Sequence, residues 1–399
     1  MGTSSAVSKL KYSERELISS LLSLSQERQN PTAVWRLPGS RLTHMVISDR
    51  HSALDPDELL EDLDTGFLFA PFDKSKKRIF LKADRLFTFE NGELKTSATS
   101  LDEKSSLNWL LDQSESFKSE KFKPDSIEIN LHASKRHPSF TEIIESGIAE
   151  IEKGTFQKIV PSRTMTITLP ASFDVVESFQ RLSSTYPQAL ISFVNIPGVG
   201  SWLGASPELL ISVKEKATFK TVALAGTLPY QAGLDIKSVA WTQKEIEEQA
   251  LVERYVISCF KKVRLREYDE YGPKTVVAGN LMHLKSEFTV DMKATNFPQI
   301  GSVMLDLLHP TSAVCGMPLE TSLQFLREHE PYDREFYAGY LGPVNVNDNI
   351  DLFVNIRCMQ ISGNQGILYA GAGVTIDSTP SKELAETEMK FNTLLNIVL

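Results

Sequence analysis

Between Ala189 and Ile376 the chain repeats one arrangement: a short apolar run, a tight turn, and a second apolar run. ALISFVNI is followed by PGVG and SWLGAS, ELLISV by KEK and ATFKTVAL, and DLFVNIRCMQI by GNQG and ILYAGAGVTI. Turns this short join only antiparallel neighbours, because a parallel partner needs a crossover of about a dozen residues or more. The chain is therefore committed to antiparallel sheet. The runs GFLFAPF and KRIFLKADRLFTF extend the same pattern toward the N-terminus.

Helices are expected outside that sheet. In SFTEIIESGIAEIEKG, Ser139 and Glu142 have capping-box spacing, Ile143, Ile144, Ile148 and Ile151 form a helical stripe, and Gly154 suits a left-handed cap. A second helix is expected from a cap at Thr242, paired with Glu245, to about Arg266, and a third from Pro380 to the end. Runs of strands with helices set beside them give an α+β, layered architecture: a large antiparallel sheet core with helices outside. Residues 1–135 read as an N-terminal β-rich layer completing the core and 136–399 as the region carrying the sharper signals, the two forming one integrated unit. The polar stretch from Thr96 to about Ser126 reads as a surface excursion or linker.

Composition narrows the function. Of 399 residues, 41% are hydrophobic and 23% charged, enough for a sizeable core. Lys+Arg 42 against Asp+Glu 51 leaves a net charge of −9, so nucleic acid is not an expected partner and an anionic substrate needs cations of its own in a cleft. Cys259, Cys315 and Cys358 form no CxxC pair, no apolar run is long enough for a membrane span, and the first residues have no signal-peptide core. A cytoplasmic protein is expected. No GxGxxG or P-loop pattern is present, which argues against a nucleotide-phosphate cradle.

Several residues stand out chemically. On the second helix Glu248 shares a face with Val252, Tyr255 and Cys259. A carboxylate there needs a metal, a Lys or Arg, or a raised pKa, unless it sits at the wet edge of the helix. Glu383, Glu386 and Lys390 cluster on one face of the last helix, as a salt-bridged surface helix or as oxygen ligands for a hard cation such as Mg2+. Lys158 in QKIV is either an outward-facing lysine or a desolvated amine able to act as a base. Glu208 in GASPELL is either an exposed strand-end residue or a carboxyl with its pKa raised toward general-acid use. LAGT (224–227) and YAGAG (369–373) let backbone approach a ligand, or are bulge glycines. Arg357, inside an apolar strand, wants a carboxylate from the protein or from a ligand, and His283 is either a wall residue or a core imidazole.

Taken together, FQKIVPSR, GASPELL, LAGT, KEIEEQALV, AGNLMHL, LHPTSAVCGMP, REHEPYDREFYAGYLG, FVNIRCM, YAGAG and ELAETEMK resemble the chorismate-utilising enzymes, most closely the isochorismate synthases, over roughly residues 140–399. The resemblance implies one large unit whose cleft holds chorismate with Mg2+. It makes Lys158 the base that activates water and Glu208 the acid that protonates the departing hydroxyl. Glu248 and Glu386 become metal ligands, with Glu383 close by and acting through water. Gly226, Thr227, His283, Arg357, Tyr369, Gly371 and Lys390 become substrate contacts. A monomer without a glutaminase partner is expected, its product feeding menaquinone, siderophore or salicylate synthesis. Salicylate synthase, the aminating anthranilate and aminodeoxychorismate synthases, and a non-catalytic chorismate-binding protein are the alternatives. The chain departs from the family pattern at Ile246, Glu247 and Gln249, where Arg and two His are usual, at Leu228 and Tyr230, where arginines are usual, and at Pro161, often Leu.

Overall fold

The computed structural model describes residues 12–55, 58–95, 101–113, 117, 121–127, 138–230, 233–278 and 281–399. Among these residues are eight α-helices: α1 (Glu14–Glu27), α2 (Leu101–Gln113), α3 (Phe140–Glu152), α4 (Val175–Thr185), α5 (Gln243–Lys262), α6 (Ile300–Leu308), α7 (Leu319–His329) and α8 (Pro380–Val398).

Two nine-stranded antiparallel sheets form the frame. The first runs, from edge to edge, β7 (Glu93–Leu94), β6 (Arg85–Glu90), β2 (Leu42–Ile47), β1 (Thr32–Arg36), β10 (Leu190–Ile196), β11 (Gly200–Ser206), β19 (Cys358–Ser362), β20 (Gln365–Gly371) and β9 (Ser162–Thr168). The second runs β14 (Asp269–Ala278), β15 (Leu281–Asp291), β13 (Thr218–Pro229), β12 (Leu209–Lys214), β18 (Ile350–Val354), β17 (Tyr340–Val344), β4 (Gly66–Ala70), β5 (Arg78–Lys82) and β3 (His51–Leu54). A two-stranded pair, β8 (Lys158–Ile159) with β16 (Gly316–Met317), completes the framework.

The period of two along each strand sorts side chains between cores. Trp35, Val194 and Trp202 join Phe67, Phe69 and Phe219 in one cluster, whereas their neighbours Val34, Phe193 and Leu203 join Leu17 and Leu21 of α1, Phe179 of α4 and Phe391 of α8 in another. The first sheet is thus buried on both faces, which is why its central strands read as unbroken apolar runs. The N-terminal strands enter both sheets, β1 pairing with β10 and β4 with β17.

Local signals set the helix ends. The capping boxes at Ser139/Glu142 and Thr242/Glu245 are both formed, and Gly154 turns the chain at φ +79°. The helix begun at Thr242 stops at Lys262 rather than near Arg266, because Arg264 adopts φ +57° and leads the chain out. The stretch expected as a linker contains α2, whose Leu107 and Leu110 are buried while Lys104, Ser105 and Asn108 face outward. Its polar composition is that of one helix face.

One correction bears on the site. DLFVNIRCMQI is not one strand: β18 belongs to the second sheet and β19 to the first, and the chain crosses at Asn355–Arg357, where Arg357 takes φ +52°. A left-handed backbone cannot continue an extended strand. The segment Pro207–Glu208 makes the same crossing between β11 and β12. Because β11 pairs with β19 and β12 with β18, the two crossings lie side by side. They are tied by Val354 N–H to Glu208 O at 3.0 Å and Ala205 N–H to Arg357 O at 3.0 Å.

Candidate active site

The paired crossings open a cavity between the two sheets. Glu208, Gly226, Thr227, Glu248, His283, Arg357, Tyr369, Gly371 and Lys390 all border it, and Lys158, Glu383 and Glu386 stand behind that wall. Segments far apart in sequence are thus brought to one place.

Lys158 is fully buried, not outward-facing, because β8 is held on one side by β16 and on the other by Val374. Its Nζ lies 2.9 Å from Glu248 Oε1 without the alignment of a hydrogen bond, so the ammonium has charge compensation but open hydrogen-bonding capacity. Glycine makes this contact possible: a Cβ on Gly373 would overlap Glu248 Oε1 and press on Lys158 Cε. Burial pushes the Glu248 carboxyl up, but Lys158, Lys244 and Lys390 together hold it below its ordinary value.

Glu208 is also buried rather than exposed, at 5%. Burial pushes its pKa up to about 7, against the opposing pull of Lys158, the strongest nearby charge, and of a long hydrogen bond from Thr311 Oγ1 at 3.4 Å. It can therefore hold a proton near neutrality and give it up.

Gly226 occupies a bulge in β13 at φ +67°, and its carbonyl accepts from His283 Nδ1 at 2.9 Å. Burial, with Arg357 nearby, lowers the His283 pKa to about 3, so the ring is neutral. With Nδ1 as donor, the buried Nε2 is an acceptor without a partner. Thr227 Oγ1 is 3.5 Å from the same Nδ1. Lys390 Nζ bridges Gly371 O and Glu386 Oε1, each at 2.7 Å. The Tyr369 hydroxyl donates to Gln360 Oε1 at 2.9 Å, and its ring stacks between Trp202 and Tyr337.

Arg357 is 93% buried, and among the described residues its guanidinium makes no hydrogen bond or ion pair. Burial pulls its pKa down from the usual arginine value, with Glu386 the main group acting the other way. A buried, unpaired guanidinium bordering a cavity is a receptor for a carboxylate.

Sequence reasoning passed over several residues here. Lys244 donates to Glu383 Oε1 at 2.7 Å. Burial works against that ammonium, but Glu383, Glu386 and Glu248 raise its pKa together, so one cation feels all three carboxylates. Thr311 and Tyr337 also belong to the site, and both lie in segments noted above for their resemblance. The departures from the family pattern fall mostly outside the cavity. Ile246 and Glu247 face solvent and neither Leu228 nor Tyr230 borders the space, while Gln249 is buried and ties α5 to Ala223 O and Ser286.

No three His, Cys, Asp or Glu side chains form a ready cage for an ion among the described residues. The donor set nevertheless suits Mg2+, which takes one or two carboxylates and keeps its waters. Glu383 is raised by burial, and its buried Oε2 lacks a well-formed hydrogen bond although Ser378 lies near.

The family model for chorismate binding enzymes matches residues 71–399. The chain belongs to that family. Isochorismate synthase EntC of Escherichia coli K12 is 31% identical to this chorismate binding enzyme over 264 residues, 65% of this chain and 66% of that protein. Isochorismate synthase DhbC of Bacillus subtilis is 31% identical over 63% of this chain and 65% of its own. The match thus spans just under two thirds of either relative's length. The structure of MenF, the menaquinone-specific isochorismate synthase from Escherichia coli, superposes with a TM-score of 0.74 at 21% identity, covering 95% of this chain and 91% of MenF. The fold, two large antiparallel sheets with helices outside, is that of chorismate-utilising enzymes. No helix among the described residues is long and apolar enough to cross a membrane.

Proposed function

We propose that this chain is an isochorismate synthase, adding water at C2 of chorismate while the C4 hydroxyl departs. The observation that carries the reading is the pairing of a buried carboxyl with a pKa of about 7, Glu208, with an unpartnered buried guanidinium, Arg357, on adjacent strand crossings of one cavity. The isochorismate synthase relatives support it.

In this reading Lys158 enters the step as the neutral amine, its resting proton already given up, and takes a proton from the attacking water. Glu208 gives its proton to the leaving hydroxyl, so that one water enters and one leaves. Arg357 holds the enolpyruvyl carboxylate, and backbone at Gly226, Thr227 and Gly371 fixes the ring. His283 Nε2 accepts from a ligand hydroxyl, and Tyr369 supplies an aromatic wall. Lys390 keeps Glu386 in place. Mg2+ would be held by Glu248 and Glu386, with Glu383 acting through water, and would supply charge compensation for the ring carboxylate. Water as nucleophile requires no glutaminase partner, and a cytoplasmic monomer suffices.

The deciding assay incubates the purified chain with chorismate and Mg2+ in the absence of ammonia. Isochorismate is the expected product. Salicylate with pyruvate would mark the lyase variant, and turnover only with ammonia would mark amination. Lys158→Ala and Glu208→Gln are each expected to reduce kcat by about 10²-fold to 10⁴-fold or more with the fold intact, and near-normal rates in either would remove its role.

A further inference from the structure

A second cavity, of about 280 Å3, lies beside the first and shares two wall residues with it, Pro207 and Arg357. Its own walls come from the end of α4 and the turn that leads to β10, from the end of β11 and from α8: Tyr186, Ala189 and Ala205 are buried, and Gln188 and Thr393 supply polar groups. The first cavity holds the polar groups assigned to the substrate. The second is left without a task by the reaction above.

The guanidinium between them reaches both sides. Arg357 borders the first space beside Glu208 and the second beside Tyr186. Its five donors exceed what one carboxylate uses, which is two in the bidentate arrangement. The second chamber thus offers a buried cation without a protein partner at one end, and an aromatic ring and small apolar side chains along its walls.

We infer that this chamber is a second binding site, for a small aromatic carboxylate whose ring lies against Tyr186 and whose carboxylate meets Arg357 from the side away from Glu208. The ring is called for by the apolar walls, against which it buries more surface than a short aliphatic acid does. The carboxylate is called for by the unpaired guanidinium. A second carboxylate on this guanidinium divides its single positive charge with the substrate carboxylate, so it weakens chorismate binding. That last consequence rests on the proposed function, and the binding itself does not.

Benzoate is the probe, with benzyl alcohol as its uncharged counterpart, and binding to the full chain is read by calorimetry with no turnover needed. Saturable binding of benzoate but not of benzyl alcohol is expected. Gln188→Trp, at an exposed position on the rim, and Ala189→Phe, inside, should each weaken benzoate at least about tenfold, equivalent to about 1.4 kcal/mol, with chorismate affinity held within about twofold. The rim variant preserves the test if the inner one does not fold. Absence of benzoate binding, equal binding of the alcohol, or benzoate affinity unchanged in the folded variants would each overturn the assignment. Loss of isochorismate formation with benzoate binding intact would overturn the proposed function instead.

Discussion

Arg334 and Arg357 are both buried, 3% and 7% exposed, and both act on Tyr337. Arg334 has four of its five donors filled. Nε and Nη2 grip Glu330 at 2.8 and 2.6 Å, Nη1 donates to Val314 O at 2.7 Å, and Nη2 also donates to Val160 O at 2.7 Å. Glu330 in turn accepts from the backbone and side chain of Ser162, each at 2.7 Å. Arg357 has none of this. Burying a guanidinium costs several kcal/mol unless the protein supplies partners. A finished pair closes that cost internally, and an unfinished one leaves it for a ligand to offset.

Buried charges thus divide into those that hold the fold and those that await substrate. Arg334 ties three separated segments, at Val160, Val314 and Glu330, into the wall beside Lys158. Arg334→Met should cost about 3 to 5 kcal/mol in denaturant unfolding, because it strands the Glu330 charge, and a double change of Arg334→Met with Glu330→Leu should recover most of that loss. Wild-type stability in the single variant would break the comparison from one side.

Arg357→Met attacks it from the other. Removing an unpartnered buried charge should leave the unfolding midpoint unchanged or raise it, while kcat/KM for chorismate falls about 100-fold or more through loss of carboxylate capture. A strong loss of stability would mean that the guanidinium has a structural partner after all.

Much of this contrast was legible in the sequence, but not all of it. Lys158, Glu208 and Arg357 announced themselves as charges among apolar neighbours, and their burial follows from strands packed on both faces. The break at Arg357 was hidden, because a left-handed φ at a non-glycine residue leaves no mark in the hydrophobic pattern. Arg334 was hidden for another reason. It sits in a turn-rich segment where periodicity says nothing, and its carbonyl partners belong to Val160 and Val314, far from it in sequence. Helix α2 was masked by the serines and charges of its outer face.

Glu208 sharpens the comparison through pH. Its folded pKa of about 7 lies above the ordinary glutamate value of 4.5, so the folded chain holds this proton more tightly than the unfolded chain does. Between those two values the folded state binds more protons, and stability must fall as pH rises through the window. The full difference is on the order of 3 kcal/mol, reached once the pH exceeds about 7. Glu208→Gln cannot ionise, so the variant should lose that slope and gain on the wild type as pH rises from about 5 to 8, read from denaturant midpoints without any substrate. For activity the sign is the same, since a proton donor must be loaded: kcat/KM of the wild type should decline above about pH 7. Parallel stability profiles for the two proteins would show that the carboxyl ionises freely in the fold, and Glu208 would then belong with the finished charges rather than with those kept for the substrate.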